Sequence, residues 1–146
     1  MKINISINEE LINQKASNPQ HTPMFINFEH ESTFYPASDW IDNPSVILGW
    51  WTYSVEDLLS GGEGQGFSFM EGPFFLKGSV DGNDLILSSE DGAVFWKIRV
   101  NELVAELIAA LNRASRIFYE MGLIPISRSL NEDVSRLKLK LNPARG

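Results

Sequence analysis

Residues 74–87 read FFLKGSVDGNDLIL, a pattern that predicts two antiparallel strands joined by a tight turn. The turn signal is DGN at residues 81–83, because glycine and asparagine tolerate the positive φ angles of short hairpin loops. A second turn signal, EDG at residues 90–92, leads into a further strand at residues 93–99, and a short strand at residues 67–70 precedes the hairpin. Consecutive strands connected in this way form an antiparallel meander.

After the meander the apolar pattern changes from period two to the helical period of about 3.6. Asn101 can cap the start of this helix, and Gly122 supplies a carboxy-terminal stop. A helix over residues 101–121 is about 31 Å long. The apolar stripe that predicts it consists of Leu103, Val104, Leu107, Ile108, Leu111, Ala114 and Phe118.

The amino-terminal half contains further strand candidates. Residues 2–7 (KINISI) alternate polar and apolar side chains, which predicts a strand with one buried face, and residues 24–30 (MFINFEH) are a second strand candidate. Residues 46–53 (VILGWWTY) are rich in β-branched and aromatic side chains and predict a central strand. One helical turn is predicted at residues 55–59, and one or two turns at residues 9–15.

Two segments are read mainly from their composition. The sequence GGEGQG at residues 61–66 predicts a mobile connector, and it lacks both phosphate-binding glycine patterns. Residues 130–141 keep helical spacing after a capping box at residues 129–132, but RLKLKL within them alternates like a strand; we favour a short helix. The elements together predict one α+β domain over residues 1–146. In it, an antiparallel sheet of five to seven strands packs against one long amphipathic C-terminal helix.

Charge is distributed unevenly along the chain. Residues 1–96 carry 14 acidic and three basic side chains, residues 97–146 carry nine basic and five acidic ones, and the net charge is −7. No Lys or Arg lies between residues 33 and 72. An acidic surface repels nucleic acid and anionic lipid and attracts basic proteins. We therefore expect a protein partner, with no nucleic acid and no membrane.

The composition also bears on the compartment. The chain has no cysteine, which excludes disulfides and thiolate ligands and fits a reducing cytoplasm. The first 15 residues lack the apolar block of a signal peptide, and no run of about 18 apolar residues occurs. A cytoplasmic location is therefore expected.

Motifs for catalysis are missing from the sequence. The only histidines are His21 and His30, and Glu29, His30 and Glu31 cannot converge on one metal ion because they are consecutive on a strand. The paired carboxylates are adjacent in sequence and do not face each other across a cleft. No G-x-S-x-G elbow is present. We expect no enzymatic activity, metal or cofactor; a small enzyme whose site combines distant histidines and carboxylates is one alternative.

Adjacent tryptophans stand out among the aromatic residues. On a strand Trp50 and Trp51 point to opposite faces, and Tyr53 shares the side of Trp51. A sheet covered on both faces is the commoner explanation of such a pattern. Exposed aromatic side chains beside acidic ones also characterise tight protein–protein contacts.

An acidic, cysteine-free α+β chain with WWTY at residues 50–53, a glycine loop, the meander and a following amphipathic helix resembles a group of bacterial proteins. These are the immunity proteins of polymorphic-toxin and contact-dependent growth-inhibition systems. The resemblance implies a cytoplasmic antitoxin that binds the C-terminal toxin domain of a cognate effector, often a nuclease. Nucleases are basic where they hold phosphate, so an acidic protein competes for that surface with fast, steered association.

On this hypothesis the partner-binding residues lie in the acidic middle of the chain, with two aromatic anchors among them. They are Asp39, Asp42, Trp51, Tyr53, Glu56, Asp57, Glu63 and Glu71. A structural or assembly subunit that oligomerises through aromatic faces is the second alternative.

Overall fold

A computed structural model describes residues 1–7, 22–62 and 66–141. Within these ranges the chain forms eight strands and three helices, which confirms the α+β class. The predicted helical turns at residues 9–15 lie outside the described residues. In chain order the elements are β1 (Lys2–Ile7), β2 (Met24–His30), β3 (Thr33–Tyr35), β4 (Ile41–Asp42), α1 (Pro44–Leu59), β5 (Gly66–Ser68), β6 (Phe75–Asp81), β7 (Asp84–Ser89), β8 (Phe95–Arg99), α2 (Val100–Glu120) and α3 (Ile124–Leu141).

The strands form two antiparallel sheets rather than the single sheet that was expected. In the first, β2 is central, β1 pairs along one side, and β3 and β4 pair with β2 as well. The second has the order β5-β6-β7-β8. The prediction of one sheet with five to seven strands is therefore wrong, because eight strands form two sheets of four. The predicted antiparallel pairing is confirmed.

The predicted meander is the second sheet. Asp81 pairs with Asp84 across the hairpin turn, where Gly82 has a φ of +63°, and Gly92 has a φ of +76° in the next turn. These are the left-handed conformations for which glycine carries no steric penalty. The local turn chemistry therefore determined this part of the fold.

The predicted long helix is present as α2. It begins at Val100 with Arg99 as the N-cap, so the prediction that Asn101 caps it is wrong by two positions. Gly122 has a φ of +80°, its amide donates to the Tyr119 carbonyl at 3.0 Å, and the Leu123 amide donates to the Phe118 carbonyl at 2.9 Å. This pair of hydrogen bonds is a Schellman motif, which ends the helix as predicted.

The segment that follows is a helix, as favoured, but it is longer than expected. α3 begins at Ile124, five residues before the proposed capping box at Ser129. Pro125 lies in the first turn, where the missing amide costs no hydrogen bond, because the first amides of a helix have no partner within it. Between α2 and α3, the Ser115 hydroxyl lies 2.8 Å from both the Ser127 hydroxyl and Asn131 Oδ1.

The predicted central strand at residues 46–53 is wrong, because this segment belongs to helix α1. Pro44 occupies the start of α1, a position that suits its fixed φ. The separately predicted turn at residues 55–59 is the end of the same helix. Apolar residues recur every three or four positions along one side of α1, and this side is buried against β5, α2 and α3. The buried apolar residues of that side are Ile47, Leu48, Trp51, Val55 and Leu58.

An aromatic cluster fills the centre of the molecule. The ring centroid of Phe28 on β2 lies 4.6 Å from that of Trp51 on α1 and 5.5 Å from that of Phe67 on β5. Phe69 lies 5.4 Å from Trp51. These tilted and edge-to-face contacts connect both sheets with α1, and their burial fixes which side of α1 remains in contact with solvent.

Candidate functional site

The outer side of α1 presents two large aromatic side chains to solvent. Trp50 and Tyr53 are 44% and 70% exposed. Their separation of three residues places them about 60° apart around the helix axis. Val46, Gly49 and Asp57 lie three or four residues from Trp50 or Tyr53 and therefore on the same side of the helix. We call Val46, Gly49, Trp50, Tyr53 and Asp57 the α1 face. A Cβ added at Gly49 meets no atom within 4 Å, so the face is open at this position.

Trp51 lies on the opposite side of α1, inside the core. It is fully buried, and its Nε1 donates a hydrogen bond of 2.8 Å to the Ser68 carbonyl. The strand interpretation placed Trp51 beside Tyr53, but residues two apart on a helix lie about 200° apart. In this structure Trp51 cannot contact a partner, and Trp50 is the tryptophan that accompanies Tyr53.

Asp42 is also buried, and its carboxylate joins two segments. Oδ2 accepts hydrogen bonds from Trp40 Nε1 at 3.1 Å and from the amides of Met70 and Glu71 at 3.0 and 3.1 Å. Oδ1 accepts from the Asn43 amide at 2.8 Å. With four donors and no exposed surface, Asp42 fixes the segment after β5 to the start of α1. Its position gives it a structural role, not a partner contact.

Two predicted acidic residues are exposed near the amino-terminal end of α1. Glu71 accepts a hydrogen bond of 3.0 Å from Nδ2 of Asn43, the residue that precedes the helix. Asp39 is exposed on a turn that is closed by the hydrogen bond from the Trp40 amide to the Ala37 carbonyl. Both side chains remain accessible to a partner.

Glu56 is engaged in an ion-pair network with α3. Its Oε1 accepts hydrogen bonds from Arg136 Nε at 3.1 Å and Nη2 at 3.0 Å, and Arg136 Nη1 lies 2.9 Å from Asp133 Oδ1. The guanidinium carbon lies 5.4 Å from the centroid of the Tyr53 ring, within the range of a cation–π contact. The charge of Glu56 is therefore largely compensated within the molecule.

Burial shifts the proton affinity of this network. It raises the pKa of Asp133, because the carboxylate loses hydration that the nearby Arg136 guanidinium replaces only in part. The hydrogen bond to Glu56 raises the pKa of Arg136, which therefore stays charged. With both carboxylates ionised, the network carries one excess negative charge beneath the Tyr53 ring.

Asp57 lies at the carboxy-terminal end of α1 and is exposed. Its Oδ2 would be 1.9 Å from a Cβ at position 62, so the absence of a side chain on Gly62 permits this close approach. Gly61 has a φ of +87°, the conformation at which the chain leaves the helix. Glu63 lies outside the described residues.

The structure thus separates the predicted residues into groups. Tyr53, Glu56 and Asp57 share the last turns of α1. About 14 to 20 Å of helix separates them from Pro44, at the end near which Asp39 and Glu71 lie. Asp42 and Trp51 are interior.

Two residues of this region were missed from the sequence. Trp50 could have been identified from the helical spacing of the apolar residues in α1, which was overlooked because the segment is rich in strand-favouring side chains. Arg136 lies 80 residues from Glu56 in the chain, and no local pattern connects the two.

One of the two histidines of the chain lies among the described residues. Within the described ranges no group of three or more histidine or acidic side chains could hold a metal ion. His30 lies against the ring of Trp96, with centroids 5.7 Å apart, and its Nε2 is 3.7 Å from Glu31 Oε1. His21 lies outside the described residues. The exposed side chains of Trp50 and Tyr53 make the α1 face the candidate site.

No protein family model matches this chain, and no curated protein or solved structure is significantly similar to it. In the part of the chain that the structure describes, no helix is both long enough and apolar enough to span a membrane.

Proposed function

We propose that this chain is a cytoplasmic immunity protein that binds and neutralises the toxin domain of a cognate effector in a polymorphic-toxin or contact-dependent growth-inhibition system. The observation that carries the proposal is the exposure of Trp50 and Tyr53 side by side on the α1 face. Tryptophan and tyrosine are enriched among the residues that dominate protein–protein binding energies. Two large aromatic side chains exposed on one helix leave apolar surface in contact with water, and binding of a partner would bury that surface.

The polar surroundings of this face favour a basic partner. Asp57 adjoins Tyr53 at one end of α1, and Glu71 and Asp39 are exposed near the other end. The net charge of −7 accelerates the approach of a basic domain over longer distances. A nuclease with a cationic groove for phosphate is the simplest toxin with this charge.

Each part of the face has a distinct role in the proposed complex. Trp50 and Tyr53 fill apolar pockets on the toxin, and exposed carboxylates such as Asp57 pair with its Lys and Arg side chains. Glu56 contributes indirectly, because it holds Arg136 against the edge of the face. A stable complex buries about 800 Å² on each partner, more than one helix of this length presents. The surface around Asp39 and Glu71 therefore joins the proposed interface.

The experiment uses the toxin domain encoded beside this gene in its genome. Co-expression should restore growth of a host that produces the toxin domain, and titration calorimetry should show a stoichiometric complex. Gly49→Arg places a long cationic side chain on the α1 face at a position where an added Cβ meets no atom within 4 Å. Gly49→Arg and Trp50→Ala should each weaken binding by at least about 100-fold, which is about 2.7 kcal/mol.

Matched controls test whether the position on the surface matters. Tyr119 on α2 is 64% exposed, so Tyr119→Ala removes a ring comparable to that removed by Tyr53→Ala. Asp57→Lys is compared with Glu132→Lys on α3, where the starting residue is also an exposed carboxylate. Only the variants of the α1 face should lose protection.

Two contrary outcomes have different meanings. If the toxin domain is neither bound nor inhibited, the proposed function is wrong. If it is bound and inhibited but all α1-face variants behave like their controls, the function stands and the assigned face is wrong.

A further inference from the structure

The second sheet has an outer face that no helix or strand of the described residues covers. On β8 the side chains of Phe95, Lys97 and Arg99 point outward, and Phe95 is 73% exposed, more than any other large apolar residue among those described. Lys77 on β6 points to the same side. The register aligns Lys77 with Ser88 and Phe95 in one cross-strand row, and Lys97 with Ile86 in the next. We call this surface the meander face.

The meander face collects the cations of the middle of the chain. Lys77, Lys97 and Arg99 are the only Lys or Arg residues between positions 16 and 112, and all three point to this face. The register also places Asp81 and Asp84 in one row with Arg99, so the meander face carries three cations and two carboxylates within a stretch of sequence that is strongly acidic. Lys97 is 63% exposed and lies 3.6 Å from Asp84, which compensates part of its charge.

β8 is also an unpaired edge of its sheet. The Ser89 amide donates to the Val94 carbonyl, and the Val100 amide donates to the Asn83 carbonyl. The main-chain amides and carbonyls of the even-numbered residues of β8 therefore point towards β7. The amides and carbonyls of Phe95 and Lys97 therefore point away from the sheet. Among residues 1–7, 22–62 and 66–141, no hydrogen bond reaches these four groups.

We propose that the β8 edge binds an extended acidic segment of a partner protein as a fifth strand of the second sheet. Main-chain hydrogen bonds to Phe95 and Lys97 provide the pairing, as in β-strand addition generally. Alternate side chains of the added strand lie on the meander face. Carboxylates there contact Lys97 and Arg99, and the methylene groups of a further acidic side chain pack against Phe95.

The charge pattern favours an acidic polypeptide over a nucleic acid. Single-stranded nucleic acids also bind to sheets with exposed aromatic and basic side chains. Their phosphates form an unbroken row of charges, however, and Asp84 lies among the three cations of the face. The net charge of −7 repels such a polymer at longer range. A peptide, in contrast, can carry carboxylates only at the positions that lie opposite Lys and Arg side chains.

The test is a titration of the full chain, labelled with nitrogen-15, followed by NMR. The probe is a capped peptide of about six residues, the length of an ordinary strand, that alternates glutamate and valine. It is added up to about 5 mM, which detects a Kd near 1 mM, or about 4 kcal/mol of binding free energy. The amides of Phe95 and Lys97 should shift and become protected from hydrogen exchange.

Variants and control probes separate pairing from charge. Lys97→Gln should weaken binding about tenfold, whereas Lys138→Gln, which removes an exposed lysine on α3, should leave it unchanged. A fully N-methylated version of the peptide should not bind, because it cannot donate main-chain hydrogen bonds. An alternating lysine–valine peptide should not bind either.

Several results would overturn the proposal. They are the absence of shifts at β8 at the highest concentration, equal binding of the N-methylated peptide, and tighter binding of an oligothymidylate of about twelve nucleotides at the same amides. The outcome does not depend on the proposed immunity function, because neither the toxin nor the α1 face takes part in the experiment.

Discussion

Replacing the two adjacent tryptophans separately should have very different effects on stability. Trp51 is fully buried; at about 25 cal/mol per Å² and about 200 Å² for an indole, its burial contributes about 5 kcal/mol. Trp51→Ala also leaves the Ser68 carbonyl without its donor, at a further cost of about 1 kcal/mol. Trp50 is 44% exposed, so the same calculation gives about 3 kcal/mol. The higher helix propensity of alanine reduces that loss by about 0.5 kcal/mol.

The assay is urea unfolding followed by far-ultraviolet circular dichroism. With m-values of about 1–3 kcal/mol/M, a difference of about 3 kcal/mol separates the midpoints of Trp50→Ala and Trp51→Ala by about 1–3 M. If Trp51→Ala does not fold, the pair Trp50→Phe and Trp51→Phe provides a milder comparison. Trp51→Phe still loses the indole hydrogen bond and should cost about 1–2 kcal/mol more than Trp50→Phe.

One result would refute the reasoning about α1. If the two alanine variants had the same midpoint, or if Trp50→Ala were the less stable, then Trp50 would face the core. The α1 face would then not exist as described, and the immunity proposal would lose its binding surface.

The remaining predictions concern stability. Gly49→Ala should raise the free energy of unfolding by about 1 kcal/mol in urea titrations, because the added methyl group meets open space and alanine favours helix. Replacing Glu31 and Ser32, whose φ angles are +50° and +64°, by asparagine and glycine should raise the melting temperature, because those residues suit a type I′ turn. Asp42→Ala should lower the free energy of unfolding by at least about 3 kcal/mol in urea titrations, because four donors lose their buried acceptor. The pKa of Asp133 is raised in the folded state from its ordinary value of 3.8, so the folded state binds this proton more tightly than the unfolded state does. Lowering the pH through the raised pKa towards 3.8 should therefore stabilise the wild type relative to Asp133→Asn, as measured by unfolding curves of both proteins.

Several elements could be predicted because their signals are local. β1 and β2 have the predicted bounds, although the alternation of β1 predicts its burial only in part, because Ile3 is buried and Ile7 is 43% exposed. The hairpin between β6 and β7 follows from the conformational freedom of Gly82. In α2, six of the seven predicted stripe residues are buried, and Ile108 is partly exposed.

Helix α1 shows where local preference fails. The β-branched and aromatic side chains of residues 46–53 favour strands weakly, by amounts that tertiary burial overrides. A helix buries Ile47, Leu48 and Trp51 together on one side, whereas a strand would divide them between two faces. The strand interpretation assigns Trp51 to the surface, whereas the helix buries Trp51 and exposes Trp50. The helical spacing of the buried residues indicates that Trp50 accompanies Tyr53, whereas only the packing shows Arg136 beside it.

The sequence by itself determined the α+β class, the meander, the long helix and the overall acidic charge, because period, turn chemistry and composition are properties of neighbouring residues. Only the tertiary structure decided that the strands form two sheets, that Asp42 is an internal acceptor, and that Arg136 reaches Glu56 from a distant helix. It also gathered Lys77, Lys97 and Arg99 on one face within an acidic stretch of sequence. The physical reason is that burial, ion pairing and surface charge depend on which distant segments meet, and the packing of the core fixes those meetings.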